Sequence, residues 1–85
     1  MKFRLHVSVK DQKEGCISSP YSCPIARALK RKFPSSRIYV GSTIWHRGGV
    51  QFILPDSVQR FIDRFDHESI EYKRRSFTFD TDDRP

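Results

Sequence analysis

The run Cys23-Pro24-Ile25-Ala26-Arg27-Ala28-Leu29-Lys30-Arg31-Lys32-Phe33 constrains the fold more than any other stretch, because it reads as an amphipathic helix with one apolar and one cationic side. Pro24 suits a first helical turn, where its missing N–H costs nothing, so the helix is predicted to begin at Ser22 or Cys23 and to end before Pro34. Ile25, Ala26, Leu29 and Phe33 share one arc at helical spacing, while Arg27, Lys30 and Arg31 project from the other. The apolar arc must be covered by other elements. Four basic groups, Lys32 included, are left on or beside the opposite arc.

The elements that could cover it follow from periodicity. Phe3, Leu5, Val7 and Val9 alternate with Arg4, His6, Ser8 and Lys10, which predicts a half-buried strand from Lys2 to Lys10. Asp11 to Ser22 contains Gly15, Pro20 and several serines without a sustained period, and reads as a loop with at most one short turn. Arg37 to Trp45 is predicted as a second strand, with Ile38, Val40, Ser42 and Ile44 on one side and Tyr39, Gly41, Thr43 and Trp45 on the other. His46-Arg47-Gly48-Gly49 turns the chain, and Val50 to Leu54 returns as a third strand. Asp56 as cap, with Gln59 at capping-box spacing, opens a second helix whose core stripe is Val58, Phe61, Ile62 and Phe65. Tyr72 to Asp80 closes the series, with Phe77 and Phe79 inward.

Strand, helix, strand, strand, helix, strand is the ferredoxin-like order. The expected fold is therefore α+β, a four-stranded antiparallel sheet with both helices on one face, since each helix has a single apolar stripe to bury. The other face is expected to meet solvent and to present Arg4, His6, Ser8, Tyr39, Thr43, Trp45 and Gln51. A chain of 85 residues buries only about 60 to 65% of its unfolded surface, so one domain over residues 1–80 is expected, with a fraying tail over 81–85. No apolar run approaches a bilayer-spanning length and the N-terminus lacks a signal peptide's apolar stretch, which points to a cytosolic protein with no membrane partner.

Cys23-Pro24-Ile25-Ala26 with Ala28-Leu29, then Val40-Gly41, Leu54-Pro55 with Val58, Phe61-Ile62 and Phe65-Asp66, and finally Phe77-Thr78-Phe79 form a pattern that resembles the short uncharacterised proteins common in bacteriophage and prophage genomes. The resemblance covers most of the chain from Cys23 onward, on core, cap and turn positions. It implies a phage context, in which proteins of this size often occupy a host macromolecule, including as anti-CRISPR or other anti-defence inhibitors. It implies no reaction.

The groups that could carry chemistry do not assemble into a known site. Cys16 and Cys23 with His6, His46 and His67 offer zinc ligands, but six residues separate the cysteines and no close His pair follows, so no metal is expected. Free thiols are expected in a reducing compartment, with a Cys16–Cys23 bridge left open. Cys23 at a helix start has the position that lowers a thiol pKa, yet no His and acid partner can be assigned. Asp63, Asp66, Asp80, Asp82 and Asp83 read as solvated carboxylates, and Gly48-Gly49 lacks the Lys-Ser or Lys-Thr of a phosphate loop. No catalytic residue and no cofactor are expected.

Charge is the remaining signal. Residues 1–54 hold ten Lys or Arg against two acidic groups, and residues 55–85 hold six against eight. Such asymmetry marks a surface that meets polyanions or an acidic protein patch. The candidate partner-binding residues are Arg27, Lys30, Arg31 and Lys32 on the first helix, Arg37 after it, Trp45, His46 and Arg47 at the hairpin, and Lys73, Arg74 and Arg75 before the last strand. Trp45 is either an exposed anchor or packed on its own sheet. The expected function is that of a non-enzymatic protein docking on an acidic host protein or nucleoprotein. Direct nucleic-acid binding through phosphate contacts is the alternative, and strand edges would also permit a homodimer.

Overall fold

Ser8 decides where the first strand stops. In the computed structural model, which describes residues 2–80, the alternating strand β1 spans Lys2–Val7 and is followed at once by a short helix α1, Val9–Glu14. The Ser8 hydroxyl accepts from the Asp11 N–H at 3.0 Å, and the Asp11 carboxylate accepts from the Ser8 N–H at 3.0 Å. This reciprocal box satisfies two donors that a helix start would otherwise leave open. It overrides the alternation, so Val9 and Lys10 belong to a helix and the expected strand to Lys10 with a loop after it is corrected.

Helix α2 runs Pro24–Lys32, as its prolines predict. Cys23 caps it, its Sγ accepting from the Ala26 N–H at 3.4 Å. Ile25, Ala26, Ala28 and Leu29 are buried on one side, against β1 and the next strand.

Strand β2 (Ile38–Val40), strand β3 (Ile44–Arg47) and strand β4 (Val50–Ile53) form a three-stranded antiparallel sheet in the order β2-β3-β4. Strand β5 (Arg75–Asp80) pairs antiparallel with β1 alone. The expected single four-stranded sheet is thus replaced by two sheets, of two and three strands, within an α+β fold. Two local features accompany this division. The segment that reads as one strand from Arg37 to Trp45 folds back at Gly41-Ser42-Thr43, where the Gly41 N–H donates to the Ile44 carbonyl at 2.8 Å, and Val40 comes to pair with Trp45. β1, meanwhile, packs against α2, the Arg31 guanidinium donating to the His6 carbonyl at 3.0 Å. The chain reverses at Gly48–Gly49, with Gly48 at φ +63°, a conformation that favours glycine, whereas His46 and Arg47, expected in the turn, belong to β3.

Helix α3, Asp56–His67, buries the expected stripe of Val58, Phe61, Ile62 and Phe65. The expected capping box does not form: Pro55 holds the cap position without a side-chain bond, and Gln59 donates to the Leu54 carbonyl at 2.8 Å. Among the described residues no helix is long and apolar enough to cross a membrane. The expected tail over 81–85, with Asp82 and Asp83, lies outside the described residues.

The two sheets meet through rings. Trp45 is 1% exposed and stands 4.9 Å from Phe52 beside it and 5.6 Å from Phe79 on β5, centroid to centroid. Phe3 stacks on Phe79 at 5.0 Å and meets Phe33 edge-on at 5.3 Å. The turn at residues 41–43 shifts the inside-outside phase by one, so Trp45 faces the core with Ile38 and Val40, not the solvent face expected of it. Replacing it removes contacts to both sheets at once. Trp45→Ala is expected to cost about 3 to 5 kcal/mol in urea unfolding followed by far-ultraviolet circular dichroism; a loss under about 1 kcal/mol would mean that the rings do not join the sheets.

Candidate docking surface

The two arginines of α2 are already engaged with the chain's own carboxylates. Asp11, 1% exposed, accepts from Arg31 through both oxygens, at 2.9 and 2.7 Å. Arg27 lies 3.5 Å from the same carboxylate and 3.5 Å from Glu14. Lys30 donates to the Tyr21 carbonyl, and the Lys32 ammonium sits 5.3 Å above the Phe3 ring. Two of the three residues expected to form a free electropositive platform are therefore ion-paired. Gly15 makes this arrangement possible: a Cβ there would lie 2.6 Å from the Asp11 carbonyl and 2.8 Å from Pro24, so only glycine lets the end of α1 rest on the start of α2.

Burial alone would push the Asp11 carboxyl up, but hydrogen bonds from Arg31 and the Ser8 N–H, together with the Arg31 charge, outweigh it and hold the group below its ordinary value. A depressed folded-state pKa contributes stability that is complete above the unfolded value, near 4, and lost as pH falls through the lower folded value. Acid titration of urea stability is expected to show this loss below about pH 4, and Asp11→Asn is expected both to lower stability at neutral pH and to flatten the acid limb. Parallel acid limbs for variant and wild type would show that this carboxylate is not held ionised.

The hairpin residues separate. Trp45 is in the core, and Arg47 turns inward, its guanidinium 4.0 Å over the Phe33 ring and donating to Ser36 at 3.2 Å. His46 turns outward. It meets Tyr39 on β2 edge-on at 5.3 Å, and Tyr39 meets Tyr21 at 5.6 Å. These three rings, with Arg37, Ile44 and Gly48, line a shallow pocket of about 330 Å³ that contains no carboxylate. Tyr21 and Tyr39 are both exposed, and Ile53 and Gln51 continue the same outward face across β4. Of the expected solvent face, Tyr39, Thr43 and Gln51 are exposed here and Arg4 and His6 on the other sheet, whereas Ser8 is a cap and Trp45 is buried. Tyr21 was not legible as part of a site, because it stands in the aperiodic segment between Pro20 and Ser22.

Lys73, Arg74 and Arg75 lie apart from this pocket. Arg75 stacks on Phe61 at 5.1 Å and donates to the Glu71 carbonyl at 3.0 Å. Lys73 and Arg75 line a groove with Arg60 and Arg64 of α3, two cations that sequence placed only on the outward side of a helix.

The cysteines are both free, Cys16 exposed and Cys23 buried. Burial pushes the Cys23 thiol up despite the Ala26 and Ile25 N–H groups, the opposite of the direction that a helix start alone implies. Among the described residues no three His, Cys, Asp or Glu side chains are grouped to hold a metal ion. Asp63 stands 3.8 Å from His67 across one exposed turn, and Asp66 accepts from the Ser18 N–H at 2.9 Å. Compared with family models, curated proteins and solved structures, the chain gives no match.

Proposed function

We propose that this chain is a non-enzymatic, phage-type binding protein that works in the host cytoplasm by docking on an acidic surface of a host protein or nucleoprotein, with host-defence complexes as the target class. The observation that carries the reading is the open Tyr21–Tyr39–His46 cluster with Arg37 on its rim and no carboxylate in its lining. Exposed Tyr and Arg in a shallow, partly apolar patch are what interface hot spots are made of, because such side chains give large contact area for little lost rotamer entropy. The excess of basic residues in residues 1–54 adds long-range attraction for an acidic partner.

This contact surface differs from the helix platform that the sequence indicates. Arg27 and Arg31 hold Asp11, Trp45 and Arg47 belong to the ring cluster, and the partner is left with Arg37, His46 and the two tyrosines, with Lys30 at the margin. The same rings are flat surfaces on which nucleobases stack, and that observation favours direct nucleic-acid binding as the second reading.

Affinity purification from bacterial lysate with wild type and with Arg37→Glu/Tyr39→Ala tests the docking. Both substituted residues are exposed, so the variant is expected to keep the wild-type circular dichroism while losing a partner that wild type recovers. Identical recoveries by the two proteins would remove the docking reading. Retardation of oligonucleotides that weakens with salt, by a log–log slope of roughly −0.7 to −0.9 per phosphate, and that the same variant abolishes, would put the nucleic-acid reading in its place.

A further inference from the structure

We infer that the groove between α3 and the segment entering β5 is a second site, which binds a nucleoside monophosphate. It shares no lining residue with the tyrosine pocket, and it does not depend on the docking reading.

The groove encloses about 370 Å³, within the range of small-ligand sites. Its charge is uneven: Arg60, Arg64, Lys73 and Arg75 line it against two carboxylates, Glu68 and Glu71. Arg60 and Arg64 stand one turn apart on α3, and Lys73 lines the same groove. Like charges at that helical spacing repel, and an anion seated between them relieves the repulsion. Neither the Arg60 guanidinium nor the Lys73 ammonium has a hydrogen-bond or ion-pair partner among the described residues, and Arg64 has only Glu68 at 3.8 Å, with both side chains well exposed. An exposed pair at that distance holds the guanidinium weakly. The lining thus keeps a positive excess over Glu68 and Glu71, and the guanidiniums of Arg60 and Arg64 carry forked donors that match phosphate oxygens.

The floor is apolar in part, with the Phe61 and Phe77 ring planes inclined at 49° and Phe61 itself buried. Phe61 and Phe77 lie 5.5 Å apart, Phe77 and Ile70 are only half-buried, and all three line the groove. Arg75 covers part of Phe61 and is itself occupied by Glu71 and Gln12. The half-buried Phe77 and Ile70 leave a base apolar surface to lie against, in the groove that the cations line. Inorganic phosphate alone would leave that surface wet.

The wall that carries Lys73 is built, not loose. Gln12, from α1, is 0% exposed; its amide donates to the Lys73 carbonyl at 2.6 Å and to the Ser8 carbonyl at 3.0 Å, while its oxygen accepts from the Lys73 N–H at 3.3 Å. A fully buried glutamine is costly to keep unless every polar atom is satisfied. Here it fixes the backbone on which one phosphate ligand sits, so the site loses little entropy when it fills.

Amide NMR titration with AMP at low ionic strength tests the site, with adenosine and ribose 5-phosphate as separate arms. AMP is expected to give saturable shifts around residues 57–64 and 69–77, with the other two compounds weaker. Arg60→Ala/Lys73→Ala, both side chains being exposed, is expected to keep the folded spectrum and to weaken AMP binding about tenfold or more. The inference is overturned by the absence of saturable AMP shifts, by shifts centred on Tyr39, by adenosine binding as well as AMP, or by a double variant that binds AMP like wild type.

Discussion

A buried carboxylate placed between two helices has to be matched by cations, and that requirement shapes much of this molecule. Asp11 closes the capping box that ends β1 and starts α1, then draws Arg31 and Arg27 of α2 onto itself. Taking one charge out of water costs several kcal/mol unless its oxygens are filled, and here Ser8 and Arg31 fill them. Arg31 also reaches the His6 carbonyl, so the same guanidinium ties β1, α1 and α2. With α2 laid along β1 in this way, β1 pairs only with β5. The three central strands form their own sheet, and the Trp45 ring cluster joins the two.

This economy of charge redirects the functional reading. A helix with four basic residues looks like a polyanion platform, but pairing inside the fold withdraws its two arginines. What remains open is a sheet face whose tyrosines and histidine touch edge to face, and a groove whose four cations outnumber its two carboxylates, Glu68 and Glu71. Both are proposed here as surfaces for anionic partners. They differ in shape: the first is shallow and suited to a macromolecule, the second concave and suited to a small ligand.

Much of the architecture was legible. Prolines at 24, 34 and 55 punctuate the helices, the stripe from Val58 to Phe65 is read directly from its period, and Gly48-Gly49 announces its hairpin. The alternation of β1 was equally plain, but Val9 fits a strand face as well as a helix, which hid the Ser8–Asp11 box until geometry separated them. Reading alternation straight through Gly41-Ser42-Thr43 put Trp45 on the outward side and left His46 in the turn. The division into two sheets was not legible at all, because periodicity reports which face a residue takes and not which strand it pairs with. For the same reason the free and the paired cations look alike in sequence: Arg31 and Arg37 are distinguished only by the position of Asp11.

The most direct measurement is a double-mutant cycle on Asp11→Ala and Arg31→Ala, with stability taken from urea unfolding at neutral pH. A coupling energy of about 1 to 3 kcal/mol, falling as pH drops below the carboxyl range, is the result that this account requires. Additive effects of the two substitutions, at every pH, would contradict it: Arg31 would then be a free surface cation, and the helix platform would return as the docking surface.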